Sequence, residues 1–103
     1  MNPGLKVRVS VGGRMKSEVH AIFRGNVQGV GFRAAAKAIA VQLNLVGYVC
    51  NCSDGSVELC AQGERSTLEH YVNKLATGFG VESKVQFSVP NKAYADFSIQ
   101  SYS

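Results

Sequence analysis

Polar and apolar positions alternate from Glu18 onward. Val19, Ala21 and Phe23 point one way and His20, Ile22 and Arg24 the other, which predicts a half-buried strand that stops at Gly25. A glycine-punctuated loop follows, Gly25-Asn26-Val27-Gln28-Gly29-Val30-Gly31. The period then changes. Phe32, Ala35, Ala36, Ile39, Ala40 and Leu43 fall on one face at helical spacing, and the alanines favour helix intrinsically, so Phe32 to Leu45 reads as a helix. Val46 to Cys52 and Ser56 to Ala61 read as strands joined by the turn Ser53-Asp54-Gly55, with Val57, Leu59 and Ala61 facing the core. Ser66-Thr67-Leu68-Glu69 has the form of a capping box. Leu68, Tyr71, Val72 and Leu75 continue it as a helical stripe, and Gly78 stands where a helix C-terminus takes a left-handed residue. Alternation returns at Val85, Phe87 and Val89 up to Pro90, and again at Ala95, Phe97 and Ile99.

The order is strand, helix, strand, strand, helix, strand, with a short final strand. This βαββαβ succession predicts an α+β fold of the split-βαβ, ferredoxin-like type. That is an α/β sandwich with a mainly antiparallel sheet of four to five strands and both helices on one face.

Composition narrows the class. The chain has 103 residues, 46% hydrophobic and 17% charged, which suits one globular domain with a modest core. No apolar run approaches the ~18 residues of a membrane span, and no apolar segment follows the basic start as in a secretory signal, so a cytoplasmic protein is expected. The formal charge of +4 would point to nucleic acid if it were spread over the chain. It is not. Lys6, Arg8, Arg14 and Lys16 precede any acid, and residues 17–103 balance seven bases against all seven acids. Residues 1–14 therefore read as an N-terminal extension (a tag, an upstream start before Met15, or a mobile arm), and residues 15–103 as the domain. Within the extension Val7, Val9 and Val11 alternate as an added strand would.

Cys50, Cys52 and Cys60 are an odd count, which fits free thiols in a reducing compartment better than a disulfide framework. The C-x-C pair has no fourth zinc ligand at sensible spacing, with the histidines far off at His20 and His70, and no metal is expected. His20 on the polar face of the first strand, His70 on the polar side of the second helix and Tyr48 read as structural, and Arg24 as solvated.

Two segments carry chemistry. Three glycines in seven positions between a strand and a helix start allow several N–H groups to converge on one concavity, next to the unpaired amides and positive dipole of the helix N-terminus. Arg33 in the first turn opposes that dipole, at about 0.3–1 kcal/mol, and makes sense if an anion lies between them. Its guanidinium can grip two phosphate oxygens at once. On a lone G-x-G spacing, a plain glycine-rich turn beside a solvated arginine is the simpler reading. The second segment places Asn51 at the end of a strand, where asparagine is disfavoured. Its carboxamide can hold a water in a fixed orientation, although on these residues alone a turn-closing role fits better.

Taken together the segments resemble the acylphosphatase family. Phe23-Arg24-Gly25-Asn26-Val27-Gln28-Gly29-Val30-Gly31-Phe32-Arg33 matches the family's G-x-V-Q-G-V-x-F-R signature. Gly47-Tyr48-Val49-Cys50-Asn51, with Asp54-Gly55-Ser56-Val57 and Gly63, matches its second signature. The resemblance spans Met15 or Lys16 to about Ile99. It implies hydrolysis of acyl phosphates to a carboxylate and inorganic phosphate, with no metal or cofactor. It makes Gly25, Asn26, Val27, Gln28, Gly29 and Val30 the phosphate cradle, Arg33 the phosphoryl-binding cation and Asn51 the residue that orients the attacking water. Its expected partners are a small acyl phosphate substrate and inorganic phosphate as product and competitor, with no nucleic acid and no membrane, in a monomer. The alternative is a non-catalytic phosphate- or carbamoyl-phosphate-binding module of the same fold. Two positions depart from the family pattern. Cys52 stands where the family often has a small polar residue or threonine, and Gln100-Ser101-Tyr102-Ser103 follow the last strand where the family sometimes brings a terminal carboxylate near the arginine.

Overall fold

The computed structural model describes residues 16–102, so the expectations for residues 1–14, the alternating valines included, lie outside the described residues. Five strands and two helices follow in the expected order: β1 (Ser17–Arg24), α1 (Phe32–Gln42), β2 (Val46–Asn51), β3 (Val57–Gly63), α2 (Arg65–Phe79), β4 (Glu82–Ser88) and β5 (Phe97–Tyr102). The sheet runs β4-β1-β3-β2-β5. Strands β1 and β3, β1 and β4, and β2 and β3 pair antiparallel, and β5 adds to β2 in parallel. The fold is the expected ferredoxin-like sandwich. Helix α1 lies over β2 and β5, and α2 over β1, β3 and β4. No helix among the described residues is long and apolar enough to cross a membrane.

The core forms between the helices and one sheet face. Val19, Ala21 and Phe23 of β1 and Val57, Leu59 and Ala61 of β3 are fully buried there, beneath Leu68, Tyr71 and Leu75 of α2 and Phe32, Ala36 and Ala40 of α1. Each large side chain contributes about 1.5–3 kcal/mol by leaving water. The Phe32 ring packs between Phe23 at 4.8 Å and Phe79 at 4.9 Å, and so fastens the first turn of α1 to both layers. The Tyr71 hydroxyl donates to the Ala36 carbonyl at 2.7 Å, tying the helices together; burial alone raises its pKa.

The helix ends differ from the sequence reading. Helix α1 stops at Gln42 rather than Leu45, and Asn44 takes a left-handed φ of 59° that turns Leu45 into the core. Ser66 does not cap α2. That helix is already under way at Arg65 with Glu64 at the N-cap, and Glu69 pairs with Arg65 at 3.2 Å instead of reaching back to a cap. Gly78 lies inside α2, and the left-handed residue that ends it is Gly80, because Phe79 still packs inward against Phe32.

The other sheet face is polar. His20 Nε2 lies 2.6 Å from Glu58 Oε2, Tyr48 donates to the same oxygen at 3.3 Å, and the Cys50 thiol approaches Oε1 at 3.6 Å. Burial pushes the Glu58 carboxyl up, but the His20 hydrogen bond and charge, aided by Cys50 and Tyr48, hold it below the ordinary value. Tyr94, from the β4–β5 connection, packs its ring 5.9 Å from that of Tyr48. His20 and Tyr48 thus both bond to Glu58 on this face.

Candidate active site

Three backbone features shape the loop between β1 and α1. Gly25, Gly29 and Gly31 all have positive φ, at 123°, 77° and 82°. The Val27 amide donates back to the Gly25 carbonyl at 2.9 Å, and its side chain is buried in the core, so Val27 anchors the loop. Among the described residues, its amide alone of those expected to form the cradle already has a main-chain acceptor. Beyond it, the amides of Gln28, Gly29 and Val30 donate to no main-chain carbonyl among the described residues.

Helix α1 begins without compensation. Gly31 is its N-cap, no side chain caps the first turn, and no acid lies in it. Such a terminus leaves amide hydrogens unpaired and a positive dipole end exposed. Arg33, in that same turn, adds a cation to it. The guanidinium reaches across to β5, where Nη1 donates to the Gln100 carbonyl at 3.2 Å. A main-chain carbonyl of β5 thus supports the arginine.

Asn51 is the last residue of β2. It stands opposite Val57 on the helix-covered face and is only 8% exposed. Its Oδ1 is buried and accepts no hydrogen bond from the described residues. A buried acceptor left so costs about 1–3 kcal/mol, and such atoms concentrate where a water or ligand belongs. Its two chain neighbours are both tied to the loop side. Cys50 pairs with Gln100, the residue that holds Arg33. The Cys52 carbonyl accepts from Gln28 Nε2 at 2.9 Å, and the Ser56 carbonyl accepts from the same nitrogen at 2.8 Å. Asn51 is therefore bracketed between the fastenings of Arg33 and Gln28.

A depression of about 190 Å³ opens at the loop, lined by Val27, Gly29, Gly31, Phe32, Arg33, Ala34 and Ile99. Asn51 does not line it. Ile99, 42% exposed, and Val30, 41% exposed, leave apolar surface around the loop. Nothing in the pattern at 95–99 distinguished Ile99 from a core residue; its exposure follows from lying on an edge strand at the margin of α1.

The β2–β3 turn is braced by Asp54. Its Oδ1 accepts from the Ser56 hydroxyl at 2.6 Å and the Ser56 amide at 3.0 Å, and Oδ2 accepts from Arg24 Nη1 at 3.2 Å. The Ser56 bonds, then Arg24, pull the Asp54 carboxyl down to about 2. Arg24 thus bridges the end of β1 to the turn, although both side chains are more than half exposed.

The acylphosphatase family model matches residues 19–99. A relative from Thermotoga maritima described as an acylphosphatase is 38% identical over 81 residues, covering 76% of this chain and 90% of the relative. Another from Leuconostoc mesenteroides is 42% identical over 80 residues, covering 74% and 89%. The crystal structure of acylphosphatase from Bacillus subtilis superposes with a TM-score of 0.75 at 30% identity, covering 82% of this chain and 98% of that one. With both signatures in place and the fold in common, the chain belongs to the acylphosphatase family.

Proposed function

We propose that this protein hydrolyses the carboxyl–phosphate bond of acyl phosphates. The observation that carries the reading is the start of α1, an uncapped, acid-free helix N-terminus that holds an arginine in its own first turn. That arrangement places positive charge against positive dipole, and a phosphoryl dianion between them removes the conflict. Left-handed glycines alternating with other residues are the backbone form of an anion-binding nest, which supports the amides of Gln28, Gly29 and Val30 as the cradle. Val27 holds the loop down from the core side.

In this mechanism the cradle and Arg33 bind the phosphoryl oxygens, and the buried Oδ1 of Asn51 accepts a hydrogen bond from a water. The water oxygen attacks phosphorus, the bond from phosphorus to the acyl oxygen breaks, and the electron pair leaves with the carboxylate. The water's proton passes to a phosphoryl oxygen of the substrate, since Asn51 cannot take it, and dihydrogen phosphate forms. A carboxylate is a good leaving group, so the remaining barrier is the placement of water and the charge on the phosphoryl group. Positioning and preorganised donors act on both. Cofactor and metal enter at no step.

The test is hydrolysis of benzoyl phosphate with EDTA present. Turnover under EDTA, inhibited competitively by inorganic phosphate, is the expected result. A divalent-metal requirement overturns the mechanism. Phosphate binding without turnover selects the non-catalytic binding module instead.

A further inference from the structure

We infer that Gln28 is a positioning residue that sets the distance between the phosphate cradle and Asn51, a role that rests on the proposed hydrolysis. Its main chain belongs to the cradle, but its side chain points the other way. Both carboxamide hydrogens are spent across the site, on the Cys52 carbonyl at 2.9 Å and the Ser56 carbonyl at 2.8 Å. These two carbonyls flank the pair that matters. Cys52 follows Asn51 in the chain, and Ser56 precedes Val57, the cross-strand partner of Asn51. The Cys52 amide also donates to the Ser56 carbonyl at 2.8 Å, so the neck that Gln28 grips is itself closed.

A planar group bonded to both sides of the hairpin's neck, one residue beyond each strand, resists rotation as well as translation. A second side-chain link to the turn, Arg24 to Asp54, joins two exposed groups at 3.2 Å and is a weak constraint in water. Gln28 is half-buried, and its Nε2 donates to two main-chain carbonyls. In-line attack tolerates little displacement, and an error of about 1 Å costs on the order of 100-fold in rate. Binding of phosphate uses amides and Arg33, which the Gln28 carboxamide does not touch. The side chain should therefore act on turnover and leave phosphate affinity nearly alone.

The experiment compares wild type, Gln28→Met and Gln28→Ala with benzoyl phosphate as substrate and inorganic phosphate as inhibitor, each also on an Asn51→Ala background. Methionine keeps the bulk and removes the donors. The expected result is a fall in kcat of about 10- to 100-fold, with the phosphate inhibition constant within about threefold of wild type. On the Asn51→Ala background the same substitutions should change kcat less than about threefold, because no oriented water remains to be misplaced. An active wild type with Gln28 variants at full kcat overturns the inference alone. Equal losses with and without Asn51, or an inhibition constant rising in step with the loss of rate, do the same. Failure of both Gln28 variants to fold makes the residue a folding contact and also overturns it. A wild type without turnover overturns the proposed function and this role together.

Discussion

The guanidinium of Arg33 donates to the main-chain carbonyl of Gln100 at 3.2 Å, and Gln100 in turn pairs with Cys50, the neighbour of Asn51. The final strand thus carries the arginine to the end of β2. Substituting Arg33→Gln removes a bond from a charged donor, worth about 1.5 kcal/mol at this exposed site, and relieves a dipole conflict of about 0.3–1 kcal/mol. The two largely offset each other, so the melting temperature should fall by only a few degrees. Loss of the phosphoryl-binding cation should lower kcat/KM for benzoyl phosphate by roughly 100- to 1,000-fold. A variant that keeps most of its rate removes Arg33 from the mechanism.

Two glycines of positive φ should answer differently to alanine. At Gly47, φ is 142° and an added Cβ would lie 1.9 Å from the Cys60 carbonyl oxygen, which is main chain and cannot yield. Gly47→Ala should cost more than about 4 kcal/mol and leave little folded protein. At Gly31, φ is 82° but nothing lies within 4 Å, so the penalty is conformational, about 1–2 kcal/mol. Gly31→Ala should fold with a lowered melting temperature and a weakened affinity for inorganic phosphate, because it bends the start of the cradle helix. Denaturant titration and calorimetry with phosphate check the pair. Equal stabilities for the two variants would mean that close approach at Gly47 is not what excludes a side chain there.

The helical stripes and strand alternation were legible because burial repeats every 3.6 or every two residues, and Leu68, Tyr71, Val72 and Leu75 are all buried as the stripe requires. Helix ends were not. Ser66 to Glu69 spells a capping box, yet the chain leaves β3 at Gly63 and turns at once, which puts Glu64 at the cap and Arg65 beside Glu69. In the candidate site, Arg33 and Asn51 drew notice because cations at helix starts and carboxamides in strands oppose ordinary preference, but on those residues alone the plainer turn readings fitted better, and only the two signatures together gave them roles. Their bracketing was invisible. The groups that make it are the carbonyls of Gln100, Cys52 and Ser56, and every residue type carries the same carbonyl.

Tyr71→Phe separates stability from function. The hydroxyl is buried and bonds to the Ala36 carbonyl at 2.7 Å, and it is not one of the groups that meet phosphate in the mechanism. Its loss should cost about 1–2 kcal/mol, or about 4–8 °C of melting temperature per kcal/mol in a domain of this size. The KM for benzoyl phosphate should stay at its wild-type value. A large change in KM would show that the angle between the helices, set by this bond, is transmitted to the loop.

Acid should act on the β2–β3 turn through Asp54. The folded carboxyl, held by Ser56 and then Arg24, titrates at about 2, below the ordinary value of 3.8. A depressed folded pKa means that the unfolded chain binds the proton first, so the stabilisation is complete above pH 3.8 and is lost as pH falls through about 2. Asp54→Asn removes the charge at every pH. The urea midpoint of wild type should therefore exceed that of the variant at pH 5, and the gap should narrow between pH 4 and pH 2 until the two converge. Glu58, also depressed, contributes in the same direction to both proteins and cancels in the comparison. No gap at pH 5 would mean that Asp54 steadies the turn through acceptors that asparagine retains, and a gap that stays constant down to pH 2 would mean that the carboxyl's charge is not what the variant loses.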